Sequence, residues 1–235
     1  MIPLRDTIRT RTVPFVTRLL VVANVAIFVL EFLQGENLDA FLETFAFIPL
    51  RFFHPELVGW TFSDAVLTIF TAMFLHGGLA HLLGNMLFLW IFGDNVEDAL
   101  GHFRFLVFYL AAGVCATLLQ AFLSPSSAIP NLGASGAIAG ILGAYFVYYP
   151  RARIVTVVPL FILFPIVELP AGDYLLGWFA LQFWMGSEQL TRAGRAAASH
   201  GGVAFWAHVG GFVCGVAWAL IFRPSRRPEA AYRIS

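Results

Sequence analysis

Leu132-Gly133-Ala134-Ser135-Gly136-Ala137-Ile138-Ala139-Gly140 opens an apolar helix in which a serine stands between glycines. Phe205-Trp206-Ala207-His208-Val209-Gly210-Gly211 sets a histidine into a second apolar run. Both side chains are costly to place in hydrocarbon without a polar partner. The two segments are therefore expected to satisfy one another, and that expectation organises the rest of the chain.

The surroundings are those of a bilayer. Of 235 residues, 59% are hydrophobic and only 12% charged, against about 25% charged in a soluble domain. Runs long enough to cross, roughly 17–25 residues each, fall near 16–34, 78–96, 103–124, 133–149, 173–190 and 203–222. The fold class expected is an all-α polytopic membrane protein, a bundle of six transmembrane helices with a long external loop between helices 1 and 2. One membrane domain spans 1–235, with its core at about 16–222 and short cytoplasmic tails. The first run passes into Phe32-Leu33-Gln34-Gly35-Glu36 without a small-x-small cleavage site and so resembles a signal-anchor.

Formal net charge is zero, and all 14 basic residues are arginine. Nothing here points to nucleic acid. Their distribution is informative. Arg5, Arg9, Arg11, Arg18, Arg104, Arg151, Arg153, Arg223, Arg226, Arg227 and Arg233 share one side under a six-span count, with Arg51, Arg192 and Arg195 opposite. The positive-inside rule then puts both termini in the cytoplasm, in the plasma (inner) membrane. His81, Asn85, Ser135 and His208 all fall in the first half of inward-running spans, so a site built from them opens to the outer side.

Two segments are ambiguous. Ile154–Leu169 is apolar but short and carries Pro159 and Pro165; it reads as a re-entrant or interfacial excursion on the cytoplasmic side. The stretch 35–77 mixes acids with aromatics such as Phe41, Phe45, Phe47 and Trp60. It reads either as an element half-sunk in the interface or as a covered loop. Cys115 and Cys214 read as small packing residues on separate helices.

Gly133 and Gly136 permit a sharp turn and close helix approach around Ser135. Pro130-Asn131 supplies a break, which leaves Ser135 near a helix N-terminus whose free N–H groups favour negative charge. Taken alone, the string is equally a packing motif. His208 adds the second half. Ala207, Gly211 and Gly215 recur every four residues on its helix, as Gly136, Gly140 and Ala144 do on the serine helix. Such faces let helix backbones come together and bring Ser135 within reach of His208. His208 can then serve as general base to the hydroxyl and acid to a leaving amine. No carboxylate lies nearby on either helix, so a dyad is expected.

His81 and Asn85, spaced i and i+4, share one helix face and suit an oxyanion site together with the Ser135 amide. His76 lies outside that face and is expected to tie down the external loop. A metal site from His76, His81 and His208 is disfavoured, because His76 and His81 diverge by about 140° on one helix and no acid accompanies them. No metal or cofactor is implied.

Four strings together carry a resemblance. His76-Gly77-Gly78-Leu79-Ala80-His81-Leu82-Leu83-Gly84-Asn85, Phe92-Gly93-Asp94-Asn95-Val96-Glu97, Gly133-Ala134-Ser135-Gly136 and Ala207-His208-Val209-Gly210-Gly211 resemble, in order, the rhomboid intramembrane serine proteases. The resemblance covers about 16 to 222. It implies a six-helix core, a Ser135–His208 dyad and an oxyanion site from His81, Asn85 and the Ser135 amide, with His76 and Glu97 structural. It also implies single-pass or polytopic membrane-protein substrates that enter laterally near the second and fifth spans. Two positions depart from the pattern. Trp60 is followed by Thr61 where some members carry Trp-Arg, and Ala139 stands where some carry an aromatic that stacks on the histidine.

The activity implied is hydrolysis of peptide bonds in or near transmembrane segments through an acyl-enzyme on Ser135. The polar strings Ser124–Ser127 and Ser199–Gly202 would rim a water-filled cavity. One alternative is a non-catalytic relative that binds transmembrane segments as a chaperone. A solute transporter is the other, and the lack of paired intramembrane carboxylates counts against it.

Overall fold

The computed structural model describes residues 1–193 and 203–222. Strand β1 (Ile2–Asp6) leads into α1 (Phe15–Leu33). Short helices α2 (Leu38–Phe45), α3 (Pro49–Phe53) and α4 (Phe62–Thr71) follow, then α5 (Leu79–Leu100), α6 (His102–Leu123) and α7 (Ser135–Tyr148). Strands β2 (Arg153–Val157) and β3 (Ile166–Pro170) precede α8 (Ala171–Ala193) and α9 (Phe205–Ile221). Helices α1, α5 and α6 are long and apolar enough to cross a membrane. α7 and α9 are apolar but hold only 14 and 17 residues.

The fold is mostly helical, as expected, but the all-α reading is corrected by a small three-stranded antiparallel sheet of order β1-β2-β3. Ile154–Leu169 folds as a β-hairpin, and residues expected in a tail supply its third strand. The physical reason lies in Ile154-Val155-Thr156-Val157, a β-branched run that fits a pleated surface better than a helix. The stretch 35–77, read as a half-sunk element or a covered loop, is largely helical. It folds into α2, α3 and α4, with Phe47 fully buried beneath them.

Polar groups buried at the helix ends fix the bundle. No side chain of its own caps α1. Instead Glu97, fully buried on α5, accepts the Val16 N–H at 2.9 Å, the Thr17 N–H at 2.7 Å and the Thr17 hydroxyl at 2.6 Å. A carboxylate facing a helix N-terminus is favourable. At the far end of α1, buried Glu31 accepts the His76 N–H at 3.0 Å. Gly101, at φ +81°, makes the tight joint between α5 and α6 in a region that side chains other than glycine rarely adopt.

The sheet packs where α1, α6 and α8 begin and α5, α7 and α9 end. Asp6 holds it there, accepting the Tyr145 hydroxyl at 2.5 Å and Asn95 Nδ2 at 2.7 Å. Burial raises the Asp6 carboxyl to about 6, an effect that the Tyr145 hydrogen bond and neighbouring Arg5 only partly offset. A folded-state pKa above the ordinary value means that the docked strand binds its proton more tightly than the unfolded chain does. That stabilisation is complete below about pH 3.8 and is lost as pH rises through about 6. Hydrogen exchange of the β1 amides, corrected for intrinsic rates, is therefore expected to speed up between about pH 5 and pH 7. Asp6→Asn should flatten the dependence.

Candidate active site

Helices α7 and α9 touch backbone to backbone. A Cβ placed on Gly211 would overlap the carbonyl oxygen of Gly136, one on Gly215 that of Gly140, and one on Gly143 that of Phe212. This contact brings the first residue of α7, Ser135, beside the first turn of α9. The Ser135 hydroxyl and His208 Nε2 are 2.8 Å apart. His208 Nδ1 lies 2.8 Å from Gln182 Oε1 on α8. An amide oxygen only accepts, so Nδ1 carries the hydrogen and Nε2 is left to accept the proton of Ser135 Oγ–H. His208 and Gln182 are both buried.

The approach to Ser135 is pinned. Phe47 and Asn131 exchange backbone hydrogen bonds at 3.1 and 2.7 Å, and the Gly133 N–H donates to the Ala72 carbonyl at 2.8 Å. Gly133 sits at φ +125°, and a Cβ there would come within 2.8 Å of the His81 ring. Its lack of a side chain lets His81 close over the serine loop.

His81, Asn85, Ser135, Gln182 and His208 share one cavity of about 720 Å³ between α5 and α8. Phe88, Trp178 and Phe205 form part of its apolar wall. The Gly77 N–H donates to His81 Nδ1 at 3.4 Å, which leaves Nε2–H as the ring's free donor. Asn85 Nδ2 is buried without a protein acceptor. The cavity thus holds a hydroxyl bonded to a neutral imidazole, with amide and imidazole donors opposite. Such a set can take a proton from the serine and receive negative charge on a nearby oxygen.

His76 needs correction. It precedes α5, so the divergence of about 140° expected on one continuous helix does not apply. The His76 and His81 rings meet edge to face with centroids 5.1 Å apart. His76 is buried, and burial with neighbouring His81 pushes its imidazole down to about 4. Its backbone N–H, not its ring, donates to Glu31 and links the chain after α4 to α1. Glu97 lies at the opposite end of α5 from the cavity.

Three contributions escape sequence reasoning. Gln182 is an amide within the largely apolar stretch 175–186 of α8, and nothing in one sequence marks which turn faces His208. Trp178, four residues earlier on α8, brings its ring to 5.8 Å from the His208 ring, beside the position where Ala139 offers no aromatic. Trp60 acquires an arginine from a distance: Arg51 lies over its ring at 5.4 Å while pairing with Glu43 at 3.3 Å. The Ser199–Gly202 rim lies outside the described residues.

The fold and this cavity define a helical membrane protein with a serine–histidine centre buried among small-residue helices. The comparisons agree at the family level. The Rhomboid domain model matches residues 63–225, and the chain belongs to the rhomboid family. It is an integral membrane protein. Rhomboid protease GluP of Bacillus subtilis is 47% identical over 76 residues, 32% of this chain and 14% of that protein. Rhomboid protein 1, mitochondrial, of Saccharomyces cerevisiae is 31% identical over 177 residues, 71% of this chain and 46% of that one. RHOMBOID-like protein 6, mitochondrial, of Arabidopsis thaliana is 33% identical over 160 residues, covering 57% and 52%. The chain spans about half or less of the length of these relatives.

If backbone contact between α7 and α9 sets the Ser135–His208 distance, Gly215→Ala should lower the thermal midpoint of the detergent-solubilised protein sharply. Gly177→Ala, with no atom within 4 Å of the added Cβ, should leave it unchanged or slightly raised.

Proposed function

We propose that this chain is an intramembrane serine protease that hydrolyses peptide bonds in or near transmembrane segments. The observation that carries the reading is the line of contacts from the Ser135 hydroxyl to His208 Nε2 and from His208 Nδ1 to Gln182, at 2.8 Å each. His208 removes the hydroxyl proton as Ser135 Oγ bonds to the scissile carbonyl carbon. The carbon–nitrogen bond then breaks, and His208 passes that proton to the departing amine. Water, deprotonated by His208, attacks the resulting ester and restores the serine.

The oxyanion would be held by Asn85 Nδ2, His81 Nε2–H and the Ser135 amide at the start of α7. An unpaired buried donor costs about 1–3 kcal/mol. Charge that appears at Asn85 only during reaction relieves that penalty where it lowers the barrier. Gln182 fixes the histidine tautomer, and Trp178 holds the ring's orientation from α8.

Depth supports an intramembrane reaction. At about 1.5 Å per residue, 14 residues of α7 extend roughly 21 Å, short of a hydrocarbon core of about 30 Å. With the foot of α7 at one surface, Ser135 sits below the other. Helices α5 and α8 make little contact with one another, and a transmembrane segment could reach the cavity between them. We read α1, α5, α6, α7, α8 and α9 as six spans of one domain. Arg5, Arg9, Arg11, Arg18, Arg104, Arg151 and Arg153 belong to the sheet end, which supports a cytoplasmic placement for that end and the N-terminus. Arg195 and the arginines from 223 onward lie outside the described residues.

A fluorophosphonate probe should label the wild-type protein in detergent and leave Ser135→Ala and His208→Ala unlabelled, in step with loss of cleavage of a model transmembrane substrate. Labelling that persists in Ser135→Ala would overturn the mechanism. Silence in the folded wild type would favour a non-catalytic binder of transmembrane segments.

Gln182→Leu should keep the fold and lower kcat by roughly 5- to 150-fold, the equivalent of about 1–3 kcal/mol for an unpaired imidazole N–H. Gln182→Glu should move the acid limb of the pH–rate profile upward, because a carboxylate favours the imidazolium. A packing role alone would leave that limb in place.

A further inference from the structure

The turn between β2 and β3 is the exposed feature that the cavity does not explain. From Val157 to Val167 no side chain is polar. At its apex Phe161 is 102% exposed and Ile162 89%, with Leu160, Leu163 and Phe164 each more than half exposed. Leu160 and Leu163 exchange backbone hydrogen bonds at 2.8 Å each, closing a two-residue turn.

Phe161 occupies that turn at φ +54°. Tight hairpins with positive φ at this position favour glycine, and a bulky residue there is strained. The chain therefore holds an aromatic ring outward at a conformational cost. The backbone is equally distinctive. The Val158 N–H donates to the Pro165 carbonyl at 3.0 Å, and those of Leu160 and Leu163 are paired within the turn. Pro159 and Pro165 have no N–H at all. Those pairings and the two prolines lower the cost of taking the hairpin out of water. The N–H groups of Phe161, Ile162 and Phe164 have no backbone acceptor, which suits a tip at the headgroup–acyl boundary better than one at the hydrocarbon centre. At the base of the hairpin, exposed Arg5, Arg151 and Arg153 outnumber the exposed Glu168 of β3, a net cationic collar that complements anionic lipid headgroups.

We propose that the hairpin tip, Leu160–Phe164, is a membrane anchor that inserts into the acyl region of the leaflet on the sheet side, with its arginine collar on the headgroup phosphates of anionic phospholipid. Four residues beyond the end of β2 reach roughly 13 Å at about 3.3 Å per residue, more than enough to cover the roughly 5–10 Å depth that interfacial elements occupy. β3 runs directly into α8, so the anchor fixes the foot of the helix that carries Trp178 and Gln182. This reading does not depend on whether Ser135 is catalytic.

The test places a nitroxide at Phe161→Cys and, separately, at Arg153→Cys, in full-length protein with Cys115 and Cys214 changed to alanine. Because the Phe161 side chain is fully exposed, the label displaces no packing. The protein is reconstituted into phosphatidylcholine vesicles with and without phosphatidylglycerol, and relaxation by oxygen is compared with relaxation by a water-soluble nickel chelate. Oxygen should dominate at position 161 and nickel at 153. Phosphatidylglycerol should increase the oxygen preference at 161, and Arg151→Gln should reduce that increase. Nickel dominance at 161 in both lipid mixtures would overturn the proposal. So would low access to both reagents with dipolar broadening between labels, which would mark a second copy of the chain as the occupant. Ile162→Cys gives an independent reading at the other exposed apex position.

Discussion

Everything in the cavity depends on how closely α7 and α9 approach. In lipid, helices gain little from hiding apolar surface, because the tails they displace are as apolar as the side chains. Association then rests on van der Waals contact, which falls off within a fraction of an ångström. Gly136, Gly140 and Gly143 on one helix and Gly211 and Gly215 on the other remove the side chains that would otherwise hold the axes 8–10 Å apart. Only with the backbones in direct contact can a side chain as short as serine, at one helix end, meet a histidine on the other at 2.8 Å. A single added methyl group in this seam acts on the polar pair as well as on packing.

The second organising device is the use of buried acids as caps for backbone that other elements leave unsatisfied. Glu97 closes the start of α1 and Glu31 receives the amide of His76, so each joins segments far apart in sequence. Part-buried Asp98 does the same for the residues before α1 by accepting the Thr12 N–H at 3.0 Å, while part-buried Asp6 ties β1 to side chains of α7 and α5, Tyr145 and Asn95. Helix α5 consequently carries distinct chemistry at its two ends. Neutral donors, His81 and Asn85, face the cavity, while carboxylates and Asn95 hold the sheet end. The interior between them is largely apolar, in keeping with the cost of polar groups at depth.

Much of this is legible in the chain. Apolar length sets the positions of α1, α5, α6, α7, α8 and α9 to within a few residues, because hydropathy and helix length are local properties. The meeting of Ser135 and His208 is legible for a different reason: two isolated polar residues framed by matched small-residue repeats have few partners to choose from. The sheet is not legible, since its strands are five residues each, shorter than a periodic signal needs, and β1 pairs with residues 150 positions away. Gln182 and Arg51 escape for the same reason. Their roles arise from which turn of a helix faces a distant neighbour, and periodicity carries no such phase. The angle of about 140° assigned to His76 and His81 fails because His76 precedes the helix, which starts at Leu79 close to the expected 78, so its ring can turn toward His81.

The pairing of β1 with β2 also bears on the order in which the molecule is assembled. Ile2 lies opposite Val157, so the first strand has no partner until more than 150 further residues have been made. At about 5–20 residues per second, that leaves β1 waiting for roughly 8–30 seconds while α1, α5, α6 and α7 are made. Closure of the sheet is then a late event that joins segments synthesised about 150 residues apart. Between those two moments the amino-terminal segment is an unpaired edge that a chaperone, a protease or a neighbouring nascent chain could engage.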